Sequence, residues 1–308
     1  MKVAYLSHPS FLRHDMGDGH PECARRLSAV ADRLLATGLL DLMDCIEAPA
    51  ATSAQILRAH TGRHFAELQA LAPAKGLVPV DPDTAMNPHT LTAALHAAGA
   101  AVRATELVVA GSHRRAFCAV RPPGHHATRD QAMGFCFFNN AAVGIRHALD
   151  ELGLARVALV DFDVHHGNGS EDILADDDRV LMVSTFQRRL YPFSGEAPRG
   201  ANMRNIGLMP YSDGQAMRRA VDEQWLPALR EFAPQMLFVS AGFDAHRDDD
   251  IAQLGWTDAD YAWISRRLVD LADECAQGRL VSLLEGGYDL PSLARCVDLH
   301  ARALLGID

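Results

Sequence analysis

VDFDVHHGNGSEDIL, residues 160–174, joins an apolar run to a cluster of polar side chains that includes Asp161, Asp163, His165 and His166. Charged groups are costly to bury unless they are paired. A bound metal ion would explain why so many potential ligands follow the apolar run directly. The alternative is a solvated loop after a strand.

This apolar run belongs to a series of short hydrophobic stretches without the alternation of a half-exposed strand. They are VAYLSH (3–8), AFCAV (116–120), VALVDFD (157–163), VLMVST (180–185), MLFVSAGFD (236–244) and LVSLLEGGY (280–288). Longer segments with helical spacing separate them, including 89–110 and a segment that opens with a capping box at Thr257–Asp260 and runs to Gly278. The pattern predicts an α/β fold with a parallel sheet covered by helices on both faces. No linker or repeat interrupts it, so we expect one domain over residues 1–308.

The composition restricts the class of protein. The 308 residues are 48% hydrophobic and 22% charged, with a formal net charge of -10, which argues against a protein that binds nucleic acid by neutralising phosphates. Six cysteines without a CxxC pair predict reduced thiols. Without a signal-like stretch or a long apolar run, we expect a cytoplasmic protein with no membrane span.

Polar clusters follow four of the predicted strands: RPPGHHA (121–127), DFDVHHGNG (161–169), SAGFDAH (240–246) and EGGYD (285–289). The carboxyl ends of parallel strands share one edge of the sheet, where α/β proteins hold their ligands. Asp163, His165 and Asp244 match a three-ligand metal site with an open position. In an extended strand Asp161 would point the same way and lie behind them.

Two further groups could act on a substrate at this edge. His125 and His126 follow the rigid Pro122–Gly124 segment and are typical of a proton-transfer pair, with Asp161 able to orient one ring. Tyr288 follows two glycines that could turn the backbone and present the phenol as an oxyanion donor.

These motifs, together with GFCFFNN (134–140), occur in the order and approximate spacing of the zinc-dependent histone deacetylase family. That family also includes acetylpolyamine amidohydrolases, and the resemblance runs from GHPECARRL (19–27) to the end of the chain. It implies an arginase-like deacetylase fold with a central eight-stranded parallel sheet. It also implies hydrolysis of an acetyl-lysine-type amide at the bottom of a narrow tunnel.

The resemblance implies two ion sites. Asp163, His165 and Asp244 would bind one Zn²⁺ per chain. A structural K⁺ would lie behind it, against Asp161, Asp163 and His165, with the hydroxyl of Ser184.

It also assigns the catalytic groups. His126 would be the general base and His125 its electrostatic partner, hydrogen-bonded to Asp161. Tyr288 would hold the scissile carbonyl, and the products would be acetate and a free amine. Asn168 stands where class I members have an aspartate, as in the class II branch, and should leave His126 less basic.

The tunnel walls are expected to include Phe135 beside Gly134, with Tyr191 opposite. Gly134 could instead be a simple turn residue. By equal spacing from Asp244, Ile251 is the residue that screens substrates, and it offers no charge to a second ammonium.

We therefore expect a class II-like zinc deacylase acting on acetylated lysine in a peptide or protein, or on a similar small acylated amine. The rival is an acetylpolyamine amidohydrolase, for which Asp15, Asp18 and Glu22 could form an acidic rim, in this chain or in a neighbouring subunit of a homo-oligomer. A solvated loop is the favoured interpretation of these acids. The tandem histidines and EGGY argue against a two-manganese ureohydrolase, and Tyr288 argues against a non-catalytic acetyl-lysine reader.

Overall fold

The computed structural model describes residues 2–307. Its strands are β1 (Val3–Ser7), β2 (Asp44–Glu47), β3 (Val78–Asp81), β4 (Thr84–Met86), β5 (Arg115–Cys118), β6 (Val157–Asp161), β7 (Val180–Gln187), β8 (Met203–Leu208), β9 (Leu237–Ala241) and β10 (Leu280–Leu284). Eight of them form one parallel sheet in the order β2-β1-β5-β10-β9-β6-β7-β8, and β3 and β4 form a separate antiparallel hairpin. The predicted eight-stranded parallel sheet is confirmed.

The helices are α1 (Arg25–Ala36), α2 (Ser53–Ile56), α3 (Gly62–Leu71), α4 (Thr90–Val109), α5 (Asn140–Asp150), α6 (Asn168–Leu174), α7 (Gly214–Ala220), α8 (Leu226–Phe232), α9 (Asp258–Cys275) and α10 (Leu290–Leu305). A π-helical turn at Val221–Trp225 connects α7 to α8, and 3-10 turns lie at Pro9–Leu12 and Leu40–Leu42. The predicted capping box opens α9, where the Thr257 hydroxyl and the Asp260 carboxylate cap each other's backbone. Within the described residues no helix combines the length and apolar character needed to cross a bilayer.

Helices cover both faces of the sheet. The side chains of β5, β6, β9 and β10 are all buried, and alternate residues of a strand point to opposite faces. Helices α4 and α5 pack together against the central strands, and α1, α9 and α10 form a second packed group. Such two-sided burial is typical of parallel sheets and explains the continuous apolar runs in the sequence.

The sheet register aligns the strand ends that carry the polar clusters. Asp161, the last residue of β6, pairs with Ser184 of β7 and Ser240 of β9, and Leu284 at the end of β10 pairs with Ala241. The loops that follow these strands therefore begin at the same level of the sheet. The site is built where they meet.

Candidate metal centre and active site

Three potential metal ligands meet beyond the ends of β6 and β9. One ligand atom from each of Asp163, His165 and Asp244 lies within 4.8 Å of the others, and all three residues are buried. His165 Nδ1 lies 3.0 Å from Asp163 Oδ1 and 3.2 Å from Asp244 Oδ2. The expectation of an extended strand through Asp163 and His165 is wrong, because β6 ends at Asp161. The turn that follows brings the ligands together instead.

Glycines allow the two carboxylates to lie against the backbone. A Cβ at Gly242 would stand 2.1 Å from Asp163 Oδ2, and one at Gly286 would stand 2.0 Å from Asp244 Oδ2. The amide of Gly286 also donates a hydrogen bond of 2.8 Å to Asp163 Oδ2. The chain thus excludes any larger side chain from the immediate surroundings of the ligand group.

The ligand group fits a divalent cation. Asp244 Oδ2 is buried and accepts no hydrogen bond of good geometry, its nearest polar neighbour being the His165 Nδ1 atom at 3.2 Å, although buried polar atoms are nearly always paired. Burial, together with the neighbouring Asp163 carboxylate, raises the pKa of Asp244 to about 6. Two carboxylates and an imidazole are a donor set of Zn²⁺ sites that keep an open position, and a cation would neutralise this crowded negative charge.

A second group of possible ligands, His246, Asp258 and Cys296, fits a metal less well. His246 Nδ1 accepts the amide hydrogen of Asp248 at 3.1 Å, so Nε2 carries the ring hydrogen and donates to Asp258 Oδ1 at 2.9 Å. The Arg295 guanidinium donates to the other oxygen of Asp258 at 2.7 Å. No lone pair of the ring is left for a cation, so this group is a hydrogen-bonded network.

The tandem histidines lie side by side, with ring centroids 4.0 Å apart. His125 Nδ1 donates to Asp161 Oδ2 at 3.1 Å, and His126 Nδ1 lies 2.7 Å from Asn168 Oδ1. An amide oxygen only accepts hydrogen bonds, so Nδ1 of His126 carries the hydrogen and Nε2 keeps its lone pair. The loop itself is anchored by Glu285, which accepts the amides at Gly124 and His125 at 2.7 and 3.1 Å.

Their surroundings give the two rings opposite charge preferences. Burial opposes a charge on His125, but Asp163 and Asp161 outweigh it and raise its pKa to about 10. Burial and the neighbouring imidazoles of His125 and His165 hold the pKa of His126 well below its usual range. His126 is therefore a weak base because of burial and the two neighbouring rings, whereas its hydrogen bond to Asn168 raises the pKa. The effect of asparagine in place of aspartate stays a prediction.

Tyr288 faces the same centre from the loop after β10. Gly287 precedes it with φ of 119°, a conformation that favours glycine. The Arg26 guanidinium lies 4.9 Å from the centre of the tyrosine ring, and its Nε donates to the Gly287 carbonyl at 2.6 Å. Burial raises the pKa of Tyr288 well above its usual value, so the phenol keeps its proton and can donate it.

A cavity of about 200 Å³ leads to these groups. Its lining comprises Asp83, Pro123, His125, His126, Gly134, Phe135, His165, Leu190, Tyr191, Ile251, Gly286 and Tyr288. All four residues predicted for the tunnel are among them. Gly134 has φ of 55°, and a Cβ there would lie 2.6 Å from the His126 ring and 2.9 Å from Tyr191. It is therefore more than a turn residue, since the tunnel wall has no room for a side chain there.

The sequence motifs did not indicate that Asp83, Pro123, Leu190 and Gly286 line this cavity. Asp83 lies in the turn between β3 and β4, and the Thr84 hydroxyl beside it accepts the Phe135 amide hydrogen at 2.9 Å. Burial, together with Asp81, raises the pKa of Asp83. DPDT is typical of a turn, but nothing local in the sequence could indicate that this turn borders the tunnel.

The residues predicted for potassium are also neighbours. Ser184 pairs with Asp161 across β6 and β7, and its hydroxyl donates to Asn205 Oδ1 at 3.3 Å. The Asp163 amide donates to Asp161 Oδ1 at 3.1 Å. Oxygen donors are thus gathered behind the ligand group, and their role remains a prediction.

For Glu22 both the favoured solvated loop and the alternative acidic rim are wrong. This carboxylate is buried and ion-paired with Arg26 at 3.1 Å and with Arg121, whose Nη2 lies 2.7 Å from Oε2. Asp15 and Asp18 are exposed and do not line the cavity. The acid at the tunnel is Asp83 instead.

Comparison with known proteins shows similarity in sequence and in fold to deacetylases. The family model of the histone deacetylase domain matches residues 20–304. The chain is 36% identical over 298 residues to a probable deacetylase of Archaeoglobus fulgidus, covering 94% of this chain and 82% of the relative. It is 37% identical over 276 residues to the histone deacetylase-like amidohydrolase of Pseudomonas aeruginosa, covering 87% and 71%. The crystal structure of the HDA15 HD domain superposes with a TM-score of 0.94 at 30% identity, over 99% of this chain and 88% of that one. The expected arginase/deacetylase fold is confirmed.

Proposed function

Because the chain belongs to the histone deacetylase family, we propose that it is a zinc-dependent deacylase. It hydrolyses the amide of acetyl-lysine in a peptide or protein, or of a similar small acylated amine, and releases acetate. The observation that carries this proposal is the buried, unpartnered Oδ2 of Asp244, which shares a ligand group with Asp163 and His165 at the base of the tunnel.

Asp163, His165 and Asp244 would hold the zinc, which when bound supplies Lewis-acid polarisation and acidifies water. His126 Nε2 takes up the proton of the attacking water, since Nδ1 already carries the hydrogen shared with Asn168. A proton then passes from the histidine pair to the amine nitrogen as the C–N bond breaks. His125, held by Asp161, supplies positive charge beside the developing oxyanion. The Tyr288 phenol donates a hydrogen bond to that oxygen. Water is otherwise excluded by the aromatic walls of Phe135 and Tyr191.

We also propose a second ion site and a cellular location. A structural K⁺ bound by Asp161, Asp163, His165 and Ser184 would balance the buried carboxylates. We expect the protein to act in the cytoplasm, where its six free cysteines remain reduced.

An acetylpolyamine amidohydrolase is the second candidate, and Asp83 favours it. This carboxylate lines the tunnel with Phe135 and Tyr191 and could pair with a second ammonium of the substrate. Ile251, on the other hand, offers only apolar contact to an alkyl stem. We rank acetyl-lysine substrates first because the aromatic walls of Phe135 and Tyr191 and the uncharged Ile251 suit an alkyl stem, whereas selectivity for a polyamine would rest on Asp83 alone.

The test compares kcat/KM for acetyl-lysine peptides with that for acetylated putrescine, cadaverine and spermidine. The peptides should be preferred, and Asp83→Asn should reduce turnover of the polyamines more than of the peptides. Asp18→Asn removes an exposed acid outside the cavity and is the matched control. A polyamine preference that disappears in Asp83→Asn would favour the second candidate, and no turnover of any acylated amine by zinc-loaded protein would refute both.

A further inference from the structure

One buried carboxylate joins the two loops that flank the tunnel base. Asp249 lies in the loop after β9 and is 4% exposed. Its Oδ2 accepts the amide hydrogens of Tyr288 at 2.6 Å and Asp289 at 3.1 Å, and its Oδ1 accepts that of Ile251 at 3.2 Å. Both oxygens are therefore used on main-chain donors.

These hydrogen bonds are suited to holding the backbone in place. A carboxylate that accepts N–H groups forms shorter and stronger bonds than a neutral acceptor. Asp289 is the N-cap of α10, so the Asp249 carboxylate also lies at the positive end of that sixteen-residue helix. The charge of Arg26 acts on Asp249, but all three hydrogen bonds of the carboxylate go to main-chain amides. Its bonding is thus directed at the backbone next to the site.

The backbone that Asp249 holds determines where the phenol of Tyr288 lies. Arg26 fixes the same segment from the other side through the Gly287 carbonyl and the tyrosine ring. Among the described residues, Asp249 is the hydrogen-bond acceptor for the Tyr288 amide. Gly287, with its positive φ, precedes this amide, and the first turn of α10 follows it. Loss of the Asp249 carboxylate would free this amide, and a shift of about 1 Å in a catalytic group can cost about 100-fold in rate.

We infer that Asp249 is a positioning residue: its carboxylate holds the main chain of Tyr288 and Ile251, and so fixes the phenol at the tunnel base and the residue at the tunnel wall. The inference rests on the proposed function, because it takes Tyr288 as the oxyanion donor. Asp249 itself does not line the cavity that leads to the ligand group.

A double-mutant cycle separates this role from a merely structural one. Asp249→Ala should lower kcat by about 10- to 100-fold, and any rise in KM caused by the loosened Ile251 should be smaller. In a Tyr288→Phe background, the same substitution should cause no further loss, because the phenol it positions is already gone. Asp249→Asn keeps one oxygen acceptor and should restore part of the rate. Asp248→Asn, an exposed neighbour with the same change of charge, should behave as the parent.

Zinc content and hydrogen exchange distinguish a loss of positioning from a loss of metal or of the fold. Each variant should retain one equivalent of zinc, and hydrogen exchange measured by mass spectrometry should become faster over residues 286–290 in Asp249→Ala but not in Asp248→Asn. An equal loss of kcat in both backgrounds, or unchanged exchange over that segment, would overturn the inference. If Asp249→Ala does not fold, the cycle is run with Asp249→Asn and the same criteria apply. Absence of deacylase activity in the parent would refute the proposed function, while the exchange measurement would still decide whether Asp249 holds this backbone.

Discussion

At the scale of single residues, side chains of the same type differ in protonation because their hydrogen-bond partners differ. His125 and His126 are adjacent, yet one faces the carboxylate of Asp161 and the other the amide of Asn168. Tyr288 completes the set as a donor whose proton is retained by burial. The residues proposed as electrostatic partner, general base and oxyanion donor thus differ in their hydrogen-bond partners and burial, which a sequence motif does not show.

Tyr288→Phe tests the third of these roles. The variant should bind zinc and substrate normally but lose roughly 2.7–4 kcal/mol of transition-state stabilisation, as for one oxyanion donor, mainly in kcat. Steady-state kinetics with an acetyl-lysine peptide and metal analysis of the same preparation provide the measurement. Turnover at the parental rate would show that the phenol does not act on the oxyanion.

At the scale of elements, the sequence predicted buried strands well and edge strands poorly. β6 and β9 are continuous apolar runs because both faces are covered. By contrast, β2 and β8 include exposed positions and polar residues, so their sequences resemble loops. The burial of Glu22 could not be predicted from the neighbouring sequence either, since one of the arginines that neutralise it, Arg121, is far along the chain. Motifs predicted the site because each follows a buried strand, whereas the hairpin with Asp83 reaches the site only through tertiary packing.

A hydrogen-bonded histidine connects elements and makes stability depend on pH. His60 Nδ1 donates to the Thr128 carbonyl at 2.9 Å, and Nε2 accepts the amide hydrogen of Asn139, the N-cap of α5, at 2.9 Å. Burial, with the neighbouring His64 and Arg129, lowers the pKa of His60 to about 3. Below about pH 6.5 His60 is protonated in the unfolded chain but stays neutral in the native protein. The free energy of unfolding should therefore fall by roughly 1.4 kcal/mol for each unit by which the pH is lowered.

The measurement is denaturant unfolding at pH 7 and pH 5.5. Other buried histidines also contribute, so the relevant quantity is the difference in pH dependence between the parent and His60→Gln. The glutamine variant should lose about 1.4 kcal/mol less over this interval. His89→Gln removes an exposed histidine and is the matched control. Equal pH dependence in parent and His60→Gln would mean that His60 is protonated in the native state.

At the scale of the whole molecule, the loops after four strands converge on one buried group of two carboxylates and an imidazole, whose negative charge a cation would neutralise. Three observations describe this one group. Gly242 and Gly286 leave room for its carboxylates, Asp244 Oδ2 has no hydrogen-bond partner, and the pKa of Asp244 is raised. A metal that binds the native chain but not the unfolded one adds its binding free energy to folding. Catalysis and stability should therefore depend on the same ion.

Metal removal tests both consequences in one preparation. A chelator should abolish amide hydrolysis and lower the Tm, and Zn²⁺ should restore both; free metal at about 1,000 times Kd would contribute about 4 kcal/mol, or a shift on the order of 10 °C for a chain of this size. Asp244→Asn should lose the bound equivalent, and its Tm should no longer respond to the chelator. His246→Gln, in the hydrogen-bonded network outside the tunnel, should still bind one equivalent. Activity and Tm that persist after verified removal of metal would refute the metal centre, and two bound equivalents in the parent with one in His246→Gln would mean that His246 also binds metal.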